Sequence, residues 1–154
     1  MKKILLHSSL LCFLFWFVSQ NISAQTLSTT FETSNGLKTA TYEEAIAYYF
    51  ALEKKFSSIT VYEMGQTDSG FPLHVVIFDP ENEGQKKSSE KFYKNGKNLL
   101  LINNGIHPGE PDGIDATMLL FRDFAEGKVA APKNTIIAAI PVYNIGGAMN
   151  RNST

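Results

Sequence analysis

The sequence predicts an α/β fold, on three observations. Leu99-Leu100-Leu101-Ile102 is a continuous apolar run, the character of a strand buried on both faces of a sheet. Ile114, Met118, Phe121 and Ala125 then recur at helical spacing, with Leu120 and Phe124 widening the stripe, up to a stop at Gly127. Thr135 to Ile140 is a second apolar, β-branched strand closed by Pro141. Strand, loop, helix and strand in that order form a βαβ-type unit.

The 154 residues, 44% hydrophobic and 19% charged, suffice for the core of one ordinary domain. Residues 1–24 read as a signal peptide rather than as fold. Lys2 and Lys3 precede the apolar run Leu10 to Val18, and Ile22-Ser23-Ala24 offers a cleavage site before Gln25. That run is well short of the roughly 20 residues that span a bilayer, so export is expected, to a secreted or periplasmic location with no membrane span after cleavage. Cys12, the single cysteine, lies inside the run, and bulky Leu11 before it is wrong for a lipoprotein signal. The formal charge is −1, or −3 once Lys2 and Lys3 are gone, which invites neither nucleic acid nor an anionic membrane.

Residues 25–40 are polar, rich in Thr and Ser, and read as a leader to the fold. Thr41-Tyr42-Glu43-Glu44 is a capping box, and Ala45, Ile46, Tyr49, Leu52 and Phe56 follow at helical spacing. The stripe Tyr48-Tyr49-Phe50 is read as the core face of that helix. Ile59 to Met64 and Pro72 to Phe78 alternate around the turn Gly65 to Gly70 and form a hairpin. His74 lies on the pleat opposite Leu73, Val75 and Ile77, and is expected to be half exposed. Asp79 to Lys97 reads as an exposed connection in which Lys86, Lys87 and Lys91 are balanced by Glu81, Glu83 and Glu90. Asp112 and Asp115 stand in the first turn of the later helix, where carboxylates cap free N–H groups.

His107-Pro108-Gly109-Glu110 carries the chemistry. It sits in a polar loop, Asn103 to Gly113, at the carboxyl end of the first apolar strand, where open α/β sheets bind ligands. An imidazole and a carboxylate there, with the backbone turning at Gly109, are the start of a metal site. Two residues at that spacing are a weak signal alone; the strand before and the helix after them give it weight.

These segments together resemble the zinc carboxypeptidases of the carboxypeptidase A type. Gly65-Gln66-Thr67-Asp68-Ser69-Gly70-Phe71-Pro72-Leu73 is similar to that family's early hairpin, and His107-Pro108-Gly109-Glu110 to its His-x-x-Glu zinc motif. Ile140-Pro141-Val142-Tyr143-Asn144-Ile145-Gly146-Gly147 is similar to its strand and Asn-Pro-Asp-Gly turn, departing at Ile145 and Gly146. The likeness runs from Thr41 to Gly147 and implies a partial αβα sandwich with a mixed, mainly parallel central sheet, residues 41–154 being the N-terminal portion of the catalytic domain. It implies zinc bound by His107 and Glu110, water activated by the ion's lowering of its pKa, and a peptide or protein substrate cut at its C-terminal bond.

The family's third ligand is a later histidine, and past Glu110 this sequence has none. Its general-base Glu, carbonyl-polarising Arg and carboxylate-gripping Asn-Arg pair also come late, and Asn150-Arg151-Asn152 follows the Asn144 turn too closely to be that pair. Asn152-Ser153-Thr154 matches a glycosylation sequon, treated as chance beside a signal of bacterial appearance. The expectation is an incomplete, inactive N-terminal piece of a longer secreted precursor. A zinc-dependent deacylase or amidohydrolase on the same scaffold, and a non-catalytic peptidase-like binding module, are the alternatives.

Overall fold

The computed structural model describes residues 27–81 and 96–150. The signal segment, the charged residues from Glu83 to Lys91, Arg151 and the Asn152-Ser153-Thr154 sequon lie outside them.

The segment read as a leader carries a helix of its own, α1 (Thr30–Thr33). Thr29 caps it, with the Thr29 side chain accepting from the Glu32 N–H and the Glu32 carboxylate accepting from the Thr29 N–H. The capping box at Thr41 opens α2 (Tyr42–Lys55) in the same way, through Glu44. Two strands follow, β1 (Ile59–Gln66) and β2 (Pro72–Phe78), then β3 (Asn98–Asn103), α3 (Asp112–Ala125), β4 (Thr135–Ile140) and the five-residue α4 (Ile145–Met149).

The four strands form one mixed sheet in the order β1-β2-β4-β3. The hairpin pair and β2–β4 are antiparallel, while β3 runs parallel to β4, Leu99 facing Ile136 and Asn103 facing Ile140. The β1–β2 antiparallel pair comes from the hairpin turn that joins them, and the β3–β4 parallel pair from the crossover through α3.

Because strand side chains alternate, β2 sends Val76 and Phe78 to one face and Ile77 to the other. The first face holds the main core, where Tyr49 and Leu52 of α2 and Ile114, Met118 and Phe121 of α3 are buried against Val61, Val76, Phe78, Ile137 and Ala139. Tyr49 and Phe78 both meet the Phe121 ring edge-on, at 5.8 and 6.4 Å. The second face carries a smaller cluster, Ile77, Ile136 and Ala138.

Four sequence-based expectations change. His74 is buried at 5% exposure, on the pleat that faces the helices; α2 lies across it, bringing the Tyr42 hydroxyl to 3.3 Å from Nδ1 and the Phe50 ring edge-on. Phe50 itself is 45% exposed, while Tyr48 and Tyr49 are core as expected. Leu99, Leu100 and Leu101 are about half exposed rather than covered on both faces, because β3 is the outermost strand and pairs only with β4 among the described residues. Asp115 does not cap α3: it is buried and accepts the Ala40 N–H at 3.1 Å, and among the described residues no side chain caps the Pro111 end of that helix.

The ends of the 79–97 connection are also more structured than a polar loop suggests. Lys97 is nearly enclosed and pairs with Asp79 and Glu81, each at 2.8 Å. Burial works against its ammonium group, but the two carboxylates outweigh it and raise its pKa above the ordinary value.

Candidate metal centre

The loop from Asn104 to Pro111 leaves the carboxyl end of β3 beside the end of its parallel neighbour β4. Backbone hydrogen bonds tie its root to the chain after β4: the Tyr143 N–H donates to the Asn104 carbonyl at 2.8 Å, and the Asn144 N–H to the Gly105 carbonyl at 3.0 Å. The Asn104 N–H donates in turn to Ile140. Its side chain is buried, donating from Nδ2 to the Thr117 hydroxyl of α3 at 3.0 Å. Asn104 thus joins β3, α3 and the segment after β4 at one point.

Beyond this root the chain makes a tight turn. The Glu110 N–H donates to the His107 carbonyl at 3.0 Å, with Pro108 second in the turn, where its fixed φ is favourable. That turn explains the three-residue spacing, since it brings its first and last residues to the same side. His107 Nδ1 lies 3.4 Å from Glu110 Oε2. Both side chains are open to solvent, at 76% and 75% exposure.

The pair borders a shallow cleft of about 240 Å³ that includes Asn103, Asn104, Ile106 and Gly113. A larger cleft of about 540 Å³ lies alongside, between the β1–β2 turn at Thr67 to Ser69 and the start of α4 at Tyr143 to Gly146, sharing Ile106. The two segments that resemble family motifs, the hairpin turn and the post-β4 turn, therefore meet next to the His107 loop.

The structure brings His107 and Glu110, the two residues singled out in the sequence, within 3.4 Å of each other. Among the described residues no group of three His, Cys, Asp or Glu side chains is placed to hold one ion. Their separation nonetheless fits a shared ion. Two ligands about 2.1 Å from a tetrahedral zinc stand about 3.4 Å apart. What sequence reading missed is the support: Asn104, Thr117 and the α4 start. Asn104 did carry a signal, as an amide directly after an apolar strand, but only the fold shows that it points inward.

No protein-family model matches the sequence, and a search of curated proteins gave no match. Solved structures do match. Carboxypeptidase A from Helicoverpa armigera aligns with 73% of this chain and 26% of its own, at 22% identity and a TM-score of 0.59. A metallo-carboxypeptidase from Burkholderia cenocepacia aligns with 71% of this chain and 28% of its own, at 21% identity and 0.51. Bovine thrombin-activatable fibrinolysis inhibitor, solved with a tick carboxypeptidase inhibitor, aligns with 72% and 33%, at 17% identity and 0.56. The chain has their fold over the aligned part and spans about a quarter to a third of their length.

Proposed function

We propose, from the premise that this chain folds as part of a metallocarboxypeptidase, that it is the front portion of a secreted zinc carboxypeptidase that hydrolyses C-terminal bonds of peptides and proteins. The observation that carries the reading is the 3.4 Å approach of His107 Nδ1 to Glu110 Oε2 at the carboxyl end of a parallel strand. His107 would hold the ion through an imidazole nitrogen and Glu110 through its carboxylate. A zinc ion there supplies Lewis acidity, polarising a carbonyl and lowering the pKa of water.

The chain's own residues do the positioning. The β3–β4 pair sets the loop at the sheet's end, Asn104 anchors it to α3, and the His107–Glu110 turn presents both donors to the open cleft. We infer that a third ligand, a general base and groups that grip a terminal carboxylate belong to the part of such an enzyme that this chain, spanning about a quarter to a third of the matched structures, does not cover. The chain alone is therefore expected to bind zinc weakly and to be inactive. Export rests on residues 1–24 as a signal peptide; a secreted product beginning at Gln25 would support it.

The test is hydrolysis of C-terminally blocked and free peptides. The chain alone should show none, and a polypeptide extended past Thr154 should show zinc-dependent release of the C-terminal residue that His107→Ala abolishes. Undiminished release in that variant would overturn the assignment.

A further inference from the structure

The two proposed ligands stand in solvent, so side-chain packing does not aim them; the backbone of their turn does. The second of its four residues is Pro108, whose ring lies against Gly147 in α4. A Cβ placed on Gly147 would stand 2.5 Å from Pro108 Cγ, closer than non-bonded carbons approach. The same Cβ would stand 2.9 Å from Asn144 Oδ1, the atom that accepts the Gly147 N–H and caps α4. Gly147 is therefore closed on both sides, by a ring that cannot rotate away and by a cap that is in use.

We propose that Gly147 is a positioning residue for His107 and Glu110, acting through Pro108; the proposal rests on the zinc reading above. The α4 start already hydrogen-bonds the loop's root, through Tyr143 and Asn144. The Pro108 contact adds a second point of attachment further out, between the ligands. Held at its root and at Pro108, the turn is restrained in the direction in which it presents both side chains to the cleft. A methyl group at 147 pushes the ring outward and displaces the turn, moving both donors relative to the cleft although it touches neither.

The test is a double-mutant cycle on the isotopically labelled chain, comparing wild type, Gly147→Ala, Pro108→Ala and the double variant by NMR. Without metal, Gly147→Ala should displace the His107 imidazole and Glu110 amide resonances, and the double variant should return them toward those of Pro108→Ala. With zinc added, Gly147→Ala should weaken binding about tenfold, as loss of an outer support does, while the double variant matches Pro108→Ala. Should Gly147→Ala fail to fold, the wild type decides: nuclear Overhauser contacts from the Pro108 ring to the Gly147 α protons must be present, and their absence overturns the positioning role.

Unmoved ligand resonances in Gly147→Ala, or strictly additive effects in the cycle, would overturn the positioning role. A wild-type His107 whose resonances ignore even a large excess of zinc would instead overturn the metal reading, and the metal-free spectra would still decide whether Gly147 orients the turn.

Discussion

Arg122 of α3 donates through Nη1 to the Glu32 carboxylate of α1 at 2.6 Å and to the Leu27 carbonyl at 3.0 Å. It joins residues ninety positions apart in sequence. With Asp115 holding the Ala40 N–H, this makes α3 the clamp for the chain that precedes α2.

Arg122→Ala should therefore release residues 27–40 before the rest of the fold. Removing a nearly buried guanidinium from charged and backbone partners costs roughly 2 kcal/mol. Urea denaturation measures that loss, and hydrogen exchange should quicken at Thr29 to Ala40 first. Unchanged exchange there would contradict the clamp.

His74 should make stability depend on pH in a defined window. Burial holds its pKa below 6.5, partly opposed by Glu63 facing it from β1. The unfolded chain then binds more protons than the native one once pH drops below about 6.5, so stability present above that pH falls on acidification through the native pKa. The urea midpoint of the wild type should drop in that interval, and His74→Gln should flatten the drop.

A second acid transition belongs to Glu32. Burial works against its carboxylate, but hydrogen bonds from Arg122 and from the Thr29 N–H hold its pKa below 4.5. Stability from this group is present above pH 4.5 and lost as pH falls through the lowered value. Arg122→Ala should move Glu32 back toward 4.5 when titrated by carbon-detected NMR; an unmoved titration would contradict the pairing.

Tyr49 is fully buried and its hydroxyl has no hydrogen-bond partner among the described residues, so its pKa is pushed far up by burial. Tyr49→Phe keeps the ring against Phe121 and removes a desolvated polar group. It should stabilise the chain by roughly 1 kcal/mol, read from the urea midpoint. A loss of stability would show that the hydroxyl is satisfied after all.

Asn104→Ala should loosen the His107–Glu110 loop at its root. It leaves the Thr117 hydroxyl without its donor inside the protein, at a cost of roughly 2 kcal/mol. Gly113→Ala should also destabilise, against the helix preference for alanine, because the new Cβ would lie 2.8 Å from Asn104 Oδ1. Thermal unfolding of both variants checks the pair; a stabilised Gly113→Ala would mean that Asn104 can turn aside.

The elements themselves were legible in the sequence. Periodicity located α2, α3, β1 and β2, apolar runs located β3 and β4, and the Thr41 capping box marked the first turn of α2. The placement of His107 and Glu110 at the end of a strand beside a parallel neighbour followed from the same pattern. What periodicity does not carry is long-range partnership. By pattern alone Arg122 is one more polar residue on an amphipathic helix, Thr29 part of a polar leader and His74 a half-exposed strand histidine, because each is defined by a partner from another element. Leu99 to Leu101 misled in the opposite direction: an apolar run reports that a strand is meant to be covered, not what covers it.

The tie between Asn104 and Tyr143 also sets an order of assembly. Roughly forty residues separate them, so at typical synthesis rates of about 5–20 residues per second the ligand turn leaves the ribosome some seconds ahead of the segment that will hold it. During that interval His107 and Glu110 are ordinary loop residues. If the turn holds zinc as proposed, the support it receives from Tyr143, Asn144 and Gly147 arrives only when β4 and α4 close behind it, and loading would then follow the docking of β4 rather than guide it.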